Sequence, residues 1–329
     1  MKWWRIDKCI WNNYLWFPNH ITWETFSNSN ITYRDEADVY RFAAWGFVFL
    51  LARMLFQCLV VIPIAHYLKI NDRHRSILSD LRQHLTVGFP AKSTMKKFLE
   101  VWWRLTFYGG VFVYGLWALW DKSWLWDVDQ IWIGYPFHPM LPEIRYYYAI
   151  ETSFYWSLTY SQFTDHKRKD FYINMVHHAA TITLLTLSWY LNMVRAGTLI
   201  LVVHDAADAW LEAAKLVRYC NGNDTLCSGF FGTFMLVWLV TRIGVYPLVI
   251  VKSAVFDAPK LIPHDHYPLM MAVMTCMLLV LMALHVVWTW MIIRVAISTV
   301  RSGRTDDCRS DSEPDQEDET VDQLRRKQD

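Results

Sequence analysis

Residues 171–219 read FYINMVHHAATITLLTLSWYLNMVRAGTLILVVHDAADAWLEAAKLVRY, and this stretch decides the fold class. Its two apolar runs, 171–190 and 197–217, each approach the ~20 residues a helix needs to cross a ~30 Å hydrocarbon core. A very short break near Asn192 separates them, so the two helices must lie antiparallel and side by side. Ionisable groups interrupt both runs: His177 and His178 in the first, His204, Asp205, Asp208, Glu212 and Lys215 in the second. Such groups are costly inside a bilayer and mark function by default. Asp205, Asp208, Glu212 and Lys215 follow one another at spacings of three and four, which share a helix face. The second helix therefore carries one acidic stripe, with Lys215 placed to pair with Glu212. His177 and His178 precede the turn by about 14 residues, roughly 20 Å of helix, and Asp205 and Asp208 follow it by a similar distance. The two clusters reach one depth, which predicts one shared site.

Working outward, five more apolar runs stand at about 42–65, 101–120, 144–160, 230–251 and 269–293. Of 329 residues, 54% are hydrophobic, and they are gathered into runs, which argues against a soluble helical protein. Nineteen tryptophans and seventeen tyrosines cluster near run ends, where amphipathic rings favour the headgroup level. The expected fold is all-α: a polytopic membrane bundle of about seven transmembrane helices with a disordered acidic C-terminal tail. The run at 144–160 is the weakest, being short and polar at Ser153, Ser157 and Ser161. Arg53 interrupts the first run, and Trp102, Trp103 and Arg104 lead into the second.

Lysine and arginine set the orientation. Lys69, Arg73, Arg75, Arg82, Lys92, Lys96 and Lys97 lie between spans one and two, Lys167, Arg168 and Lys169 between three and four, and Arg301 and Arg304 after seven. The alternate connections hold only Lys122, Arg195, Lys252 and Lys260. Seven spans then place the N-terminus in the lumen and the C-terminus in the cytosol. Residues 1–40 form a lumenal segment without the pattern of a cleavable signal peptide. Asn30-Ile31-Thr32 is a glycosylation acceptor on that side, whereas Asn223-Asp224-Thr225 falls on the cytosolic side. The tail is rich in acidic, basic and serine residues and too poor in apolar ones to fold alone. Ser310 and Ser312 precede acidic residues there, as an acid-directed kinase requires. Arg326-Lys327 resembles a dibasic retrieval signal of the endoplasmic reticulum. The six cysteines form no CxxC pair; Cys220 and Cys227 flank one short loop. A net charge of +1 gives no sign of nucleic-acid binding.

The residue types in the shared site suit several chemistries. A neutral imidazole is a general base or nucleophile near pH 7, and a carboxylate beside it fixes its tautomer and stabilises the imidazolium. Acyl transfer from a thioester to an amine needs such a base, or proceeds through an acyl-imidazole. A structural His–Asp pairing, a Zn²⁺ or iron site and a proton pathway use the same residues; adjacent histidines diverge by about 100° on a helix, which weakens the metal reading.

The order and spacing of Lys167-Arg168-Lys169-Asp170-Phe171, Met175, His177-His178, Thr181, Ser188, Asn192, Arg195-Ala196-Gly197-Thr198-Leu199, His204-Asp205, Asp208, Leu211-Glu212, Ala214-Lys215 and Tyr219 resemble the ceramide synthase signature of the TLC membrane domain. Residues 93–98, 103–108 and 309–313 resemble the same family. The resemblance implies an endoplasmic reticulum enzyme that moves a fatty acyl group from acyl-CoA, a co-substrate, to the amine of a sphingoid base. No bound cofactor or metal is implied; membrane lipids are its other partners, and a homo- or hetero-dimer is compatible. It implies that His177, His178, Asp205 and Asp208 are catalytic, with His177 the nucleophile. Lys167, Arg168, Lys169, Asn192, Arg195, His204, Glu212 and Lys215 are expected to bind substrate. A lumenal connection at 253–267 influences acyl-chain choice in the family. The TLC-type catalytic part is expected at 100–297 and the acidic cytosolic tail at 298–329. Residues 41–99 hold the first span and a short basic loop. That loop, 67–100, is about half the ~60 residues of the homeodomain-like insert found in many animal members, so no nucleic-acid partner is expected. A non-enzymatic TLC-domain protein that binds lipid or assists membrane insertion is the alternative.

Overall fold

The computed structural model describes residues 13–17, 21–22, 24, 37–70, 76–90, 93–165, 170–220, 223–262 and 269–302. Among these residues every regular element is a helix. After a short turn at Asn13–Trp16 come α1 (Asp38–Tyr67), α2 (Ile77–Thr86), α3 (Thr94–Leu119), α4 (Pro142–Ser161), α5 (Phe171–Tyr190), α6 (Val194–Tyr219), α7 (Asp224–Leu261) and α8 (Leu269–Ser302). Three of them, α1, α7 and α8, are by length and composition apolar enough to cross a membrane on their own.

The long helices correspond to the seven apolar runs, with longer ends. α5 begins and ends where its run does, while α3 starts seven residues early, at Thr94, capped by the Ser93 hydroxyl, which accepts from the Lys96 N–H. Such a cap satisfies a donor that the first turn leaves open. α8 continues to Ser302, so its last turns lie inside the stretch expected to be tail. Residues 303–329, with Ser310 and Ser312, lie outside the described residues, as do Asn30 and the basic run Lys167, Arg168 and Lys169. The polar run 144–160 forms α4 in full. Ser157 and Ser161 donate to the carbonyls of Phe154 and Leu158, so those hydroxyls find partners on their own helix.

Proline explains the irregular helices. α1 widens into a π-helix at Gln57–Val61 just before Pro63. α7 is a π-helix over Leu239–Val251, with Pro247 inside it, and again at Ser253–Asp257, ahead of Pro259. Proline has no N–H and collides with the carbonyl four residues back; a wider turn relieves that collision without ending the helix.

Several charges among the described residues are paired across helices. Asp38 accepts from Arg41 and from Arg145, both at 2.8 Å. Arg53, which interrupts the first run, forms a forked pair with Asp165 at 2.8 and 3.0 Å. A tight corner closes the α5–α6 end. Asn192, fully buried with φ +56°, donates to the carbonyls of Pro136 and His138 at 2.7 and 2.9 Å. Arg195 donates to the Gln130 carbonyl at 2.7 Å and lies over the Trp124 ring. Between α1 and α3 the described residues hold the single ten-residue helix α2. Cys220 and Cys227 are free thiols.

Candidate active site

The short α5–α6 turn brings the histidines together with Asp208, Glu212 and Lys215 of the acidic stripe, but leaves Asp205, expected in the same site, off the cavity wall. A cavity of about 190 Å³ opens between α3, α4, α5, α6, α7 and α8, and His177, His178, Asp208, Glu212 and Lys215 all line it. His177 packs edge-on against Trp288 with ring centroids 5.2 Å apart. Tyr155 stands 6.2 Å from His177 and 6.0 Å from His178. The Nδ1 atoms of both histidines are buried and make no hydrogen bond. Two imidazoles are thus steered by aromatic packing and left unsaturated at a cavity wall, where a reacting group needs to be.

The acidic stripe divides into three settings. Glu212 accepts from Lys215 Nζ at 2.8 Å, the expected pairing, and its other oxygen lies 3.2 Å from Arg104 Nε as an ion pair. Arg104 lies 3.8 Å from Glu100, so a buried ladder of alternating charge runs from α3 to α6. Arg104 leads into the second apolar run. The early start of α3 carries it into the cavity wall. Asp208 pairs with Arg242 of α7 at 3.3 Å. Asp205 is 1% exposed and accepts from the Tyr147 hydroxyl at 3.0 Å, with the Glu151 carboxyl of α4 in hydrogen-bond reach.

His204 faces the other way. Its Nδ1 bonds the Ile200 carbonyl at 2.7 Å, and its ring meets His285 at 5.0 Å and Tyr246 at 5.2 Å. It lines a second cavity, almost wholly apolar, that runs along α5, α6 and α8 through Leu184, Leu185, Ile200, Met274 and Leu278 to Met193, Met271, Ala254 and Trp132. On α6 this cavity extends from His204 to Met193, about 16 Å of helix. Tyr155 lines both cavities. Asn192 and Arg195 are not brought to the polar cavity: their side chains hold the corner at the far end of α6. Among the described residues no group of three or more His, Cys, Asp or Glu side chains is placed to hold a metal ion.

Sequence reasoning missed Glu100, Glu151, Arg242 and His285. Glu151, Arg242 and His285 are ionisable residues within apolar runs, the same signal that singled out the histidines; Glu100 stands just before its run. Their convergence on α5 and α6 depends on packing between helices distant in sequence.

Fold and site together define a membrane protein whose charged side chains turn inward around a histidine-lined cavity. The TLC domain family model matches residues 97–294. The chain is 36% identical over 320 residues to ceramide synthase hyl-1 of Caenorhabditis elegans, which covers 94% of this chain and 85% of that protein. It is 44% identical over 230 residues to human ceramide synthase 5, covering 69% of this chain and 57% of that protein, and 30% identical over 346 residues to human ceramide synthase 3, covering 94% and 89%. The chain belongs to the TLC-domain ceramide synthase family.

Proposed function

We propose that this ceramide synthase transfers a fatty acyl group from acyl-CoA to the amine of a sphingoid base through an acyl-histidine on His177. The observation that carries this reading is the pair of imidazoles with unpartnered Nδ1 atoms, in a polar cavity that shares Tyr155 with an apolar one. The apolar cavity suits an alkyl chain, and the polar one suits a thioester, an amine and the hydroxyls beside it. A ring nitrogen of His177 attacks the thioester carbon, the C–S bond breaks, and CoA leaves as a thiolate that takes up a proton. The amine then attacks the acyl-imidazole, gives its proton to His178, and the amide C–N bond replaces the bond to His177. Asp205 and Asp208 balance the charge that the histidines acquire. No step needs a bound cofactor.

The family resemblance and the lysine and arginine asymmetry support seven spans, α1 and α3–α8, in the endoplasmic reticulum membrane, with the N-terminus lumenal and the C-terminus cytosolic. Lys167, Arg168 and Lys169 then stand on the side from which acyl-CoA arrives. A glycosidase-sensitive mass shift that disappears in Asn30→Gln tests the lumenal N-terminus.

A microsomal assay with acyl-CoA and sphinganine tests the chemistry. Abolished turnover in His177→Ala and in Asp205→Ala, and a hydroxylamine-sensitive acyl mass on the wild-type chain, are expected. Turnover that survives both substitutions together removes the mechanism.

A further inference from the structure

We propose that Arg242 is the oxyanion-stabilising residue of the acyl-transfer site, its guanidinium donating to the thioester carbonyl oxygen as negative charge develops there. This rests on the acyl-transfer reading of the cavity, but not on the choice of nucleophile. Attack by His177 or directly by the amine moves the C=O π pair onto the same oxygen, and collapse of that oxyanion expels the CoA thiolate.

Arg242 lies in the wall of the cavity that holds His177 and His178. It is anchored from three helices. Nη1 meets His285 Nε2 of α8 at 3.3 Å, Nη2 donates to the His204 carbonyl of α6 and to the Asp208 carboxylate at 3.3 Å, and the guanidinium lies over the Trp238 ring of α7 at 5.0 Å. A donor fixed this firmly does not reorganise when charge appears, which is the property that makes such groups effective in a water-poor site. Its side chain is 4% exposed, yet Nε is buried with no hydrogen-bond partner. A guanidinium brings five N–H donors, and leaving one unmade in a dry interior is unfavourable unless a ligand completes it. Arg242 and Tyr246 are both turned inward within the π-helical stretch of α7. Arg104, the other arginine on this wall, also has a buried donor without a partner, Nη2, but its charge is already set against two carboxylates, Glu212 at 3.2 Å and Glu100 at 3.8 Å. Asp208 also holds Arg242 in position.

The test uses purified full-length enzyme with acyl-CoA and sphinganine. In Arg242→Lys, which keeps a cation opposite Asp208, and in Arg242→Gln, kcat should fall on the order of 10²–10³-fold with KM for acyl-CoA within about threefold of wild type. A folded Arg242→Lys enzyme with kcat within about threefold of wild type overturns the assignment. His177→Ala is run alongside. If it is inactive while Arg242→Lys is active, only the role of Arg242 fails; if it is active, His177 as the nucleophile fails; and if the wild-type enzyme shows no turnover, the acyl-transfer reading of the cavity fails. A second measurement leaves Arg242 in place. The carbonyl stretch of ¹³C-labelled acyl-CoA bound to the His177→Ala enzyme should lie below its frequency in solution, and an unshifted band overturns the proposal even if the Arg242 variants do not fold.

Discussion

Gly197→Ala probes how tightly the three helices that carry the site are locked together. A Cβ at Gly197 would lie 1.5 Å from the Tyr148 hydroxyl oxygen and 2.6 Å from Cζ, so Tyr148 of α4 has to move. Its hydroxyl is hydrogen-bonded to Ser188 of α5 at 2.9 Å, and both side chains are buried. Forcing atoms into a filled core costs about 1–3 kcal/mol. Losing the hydrogen bond adds about 1 kcal/mol, because Ser188 can still donate to the Leu185 carbonyl. The expected destabilisation is about 2–4 kcal/mol, or about 30- to 700-fold in the unfolding equilibrium. Detergent-driven unfolding of the purified protein in mixed micelles measures it, and Tyr148→Leu supplies the second corner of a cycle. With the hydroxyl and ring gone, Gly197→Ala should cost about 1–2 kcal/mol less than it does in the wild type. The reasoning fails if Gly197→Ala unfolds within about 0.5 kcal/mol of wild type, or if its cost is the same in both backgrounds.

Glu212→Gln removes the carboxylate shared by Lys215 and Arg104 and leaves two buried cations short of a counter-charge, so a loss of about 3–5 kcal/mol is expected; adding Lys215→Met should restore part of it in the same unfolding assay. Asn192→Ala forfeits two buried hydrogen bonds at a left-handed backbone position and should cost about 2–4 kcal/mol, of which Asn192→Gly recovers about 1 kcal/mol of backbone strain; equal losses in the two variants would rule out the strain component. His138, in the corner outside the helices, has its pKa pushed down to about 4 by burial, against the raising effect of its bond to the Ile133 carbonyl. The unfolded chain, with an ordinary imidazole near 6.5, therefore binds that proton first, and stability declines as pH drops from about 6.5 towards 4. His138→Gln keeps a donor for Ile133 and should flatten that decline; a melting temperature with the same pH slope in both proteins would show that His138 does not cause it.

The sequence was most informative where chemistry and covalent distance coincide. The break at Asn192 is so short that α5 and α6 have to be neighbours, and helical spacing alone then puts Asp208, Glu212 and Lys215 on the wall that His177 and His178 reach. The Lys215–Glu212 pair was legible for the same reason. Asp205 was expected in that site too, but its partners, Tyr147 and Glu151, come from α4, whose rotation is set by packing that spacing does not show. Arg104 read only as part of the entry to the second run, because the helix start at Thr94 is set by the Ser93 cap within a polar stretch that hydropathy leaves outside the run. His204 belongs to the second cavity, and Asn192 and Arg195 belong to the corner. A motif preserves such residues for architecture as readily as for chemistry, and spacing alone does not separate the two.

The uneven apolarity of the bundle bears on how the protein is made. α1, α7 and α8 can each enter a bilayer on their own greasiness. α6 is different: Asp205, Asp208, Glu212 and Lys215 would face lipid if it inserted alone, at a cost of a few kcal/mol for each charge near the middle. Its neutralising partners arrive at different times during synthesis. Arg104 and Tyr147 precede it on the nascent chain, whereas Arg242 emerges more than thirty residues after Asp208. Insertion of α6 thus has to wait for α7, or be sheltered until then. A substitution at Arg242 would first be felt by the insertion machinery, as a helix that hesitates at the membrane before any substrate is bound.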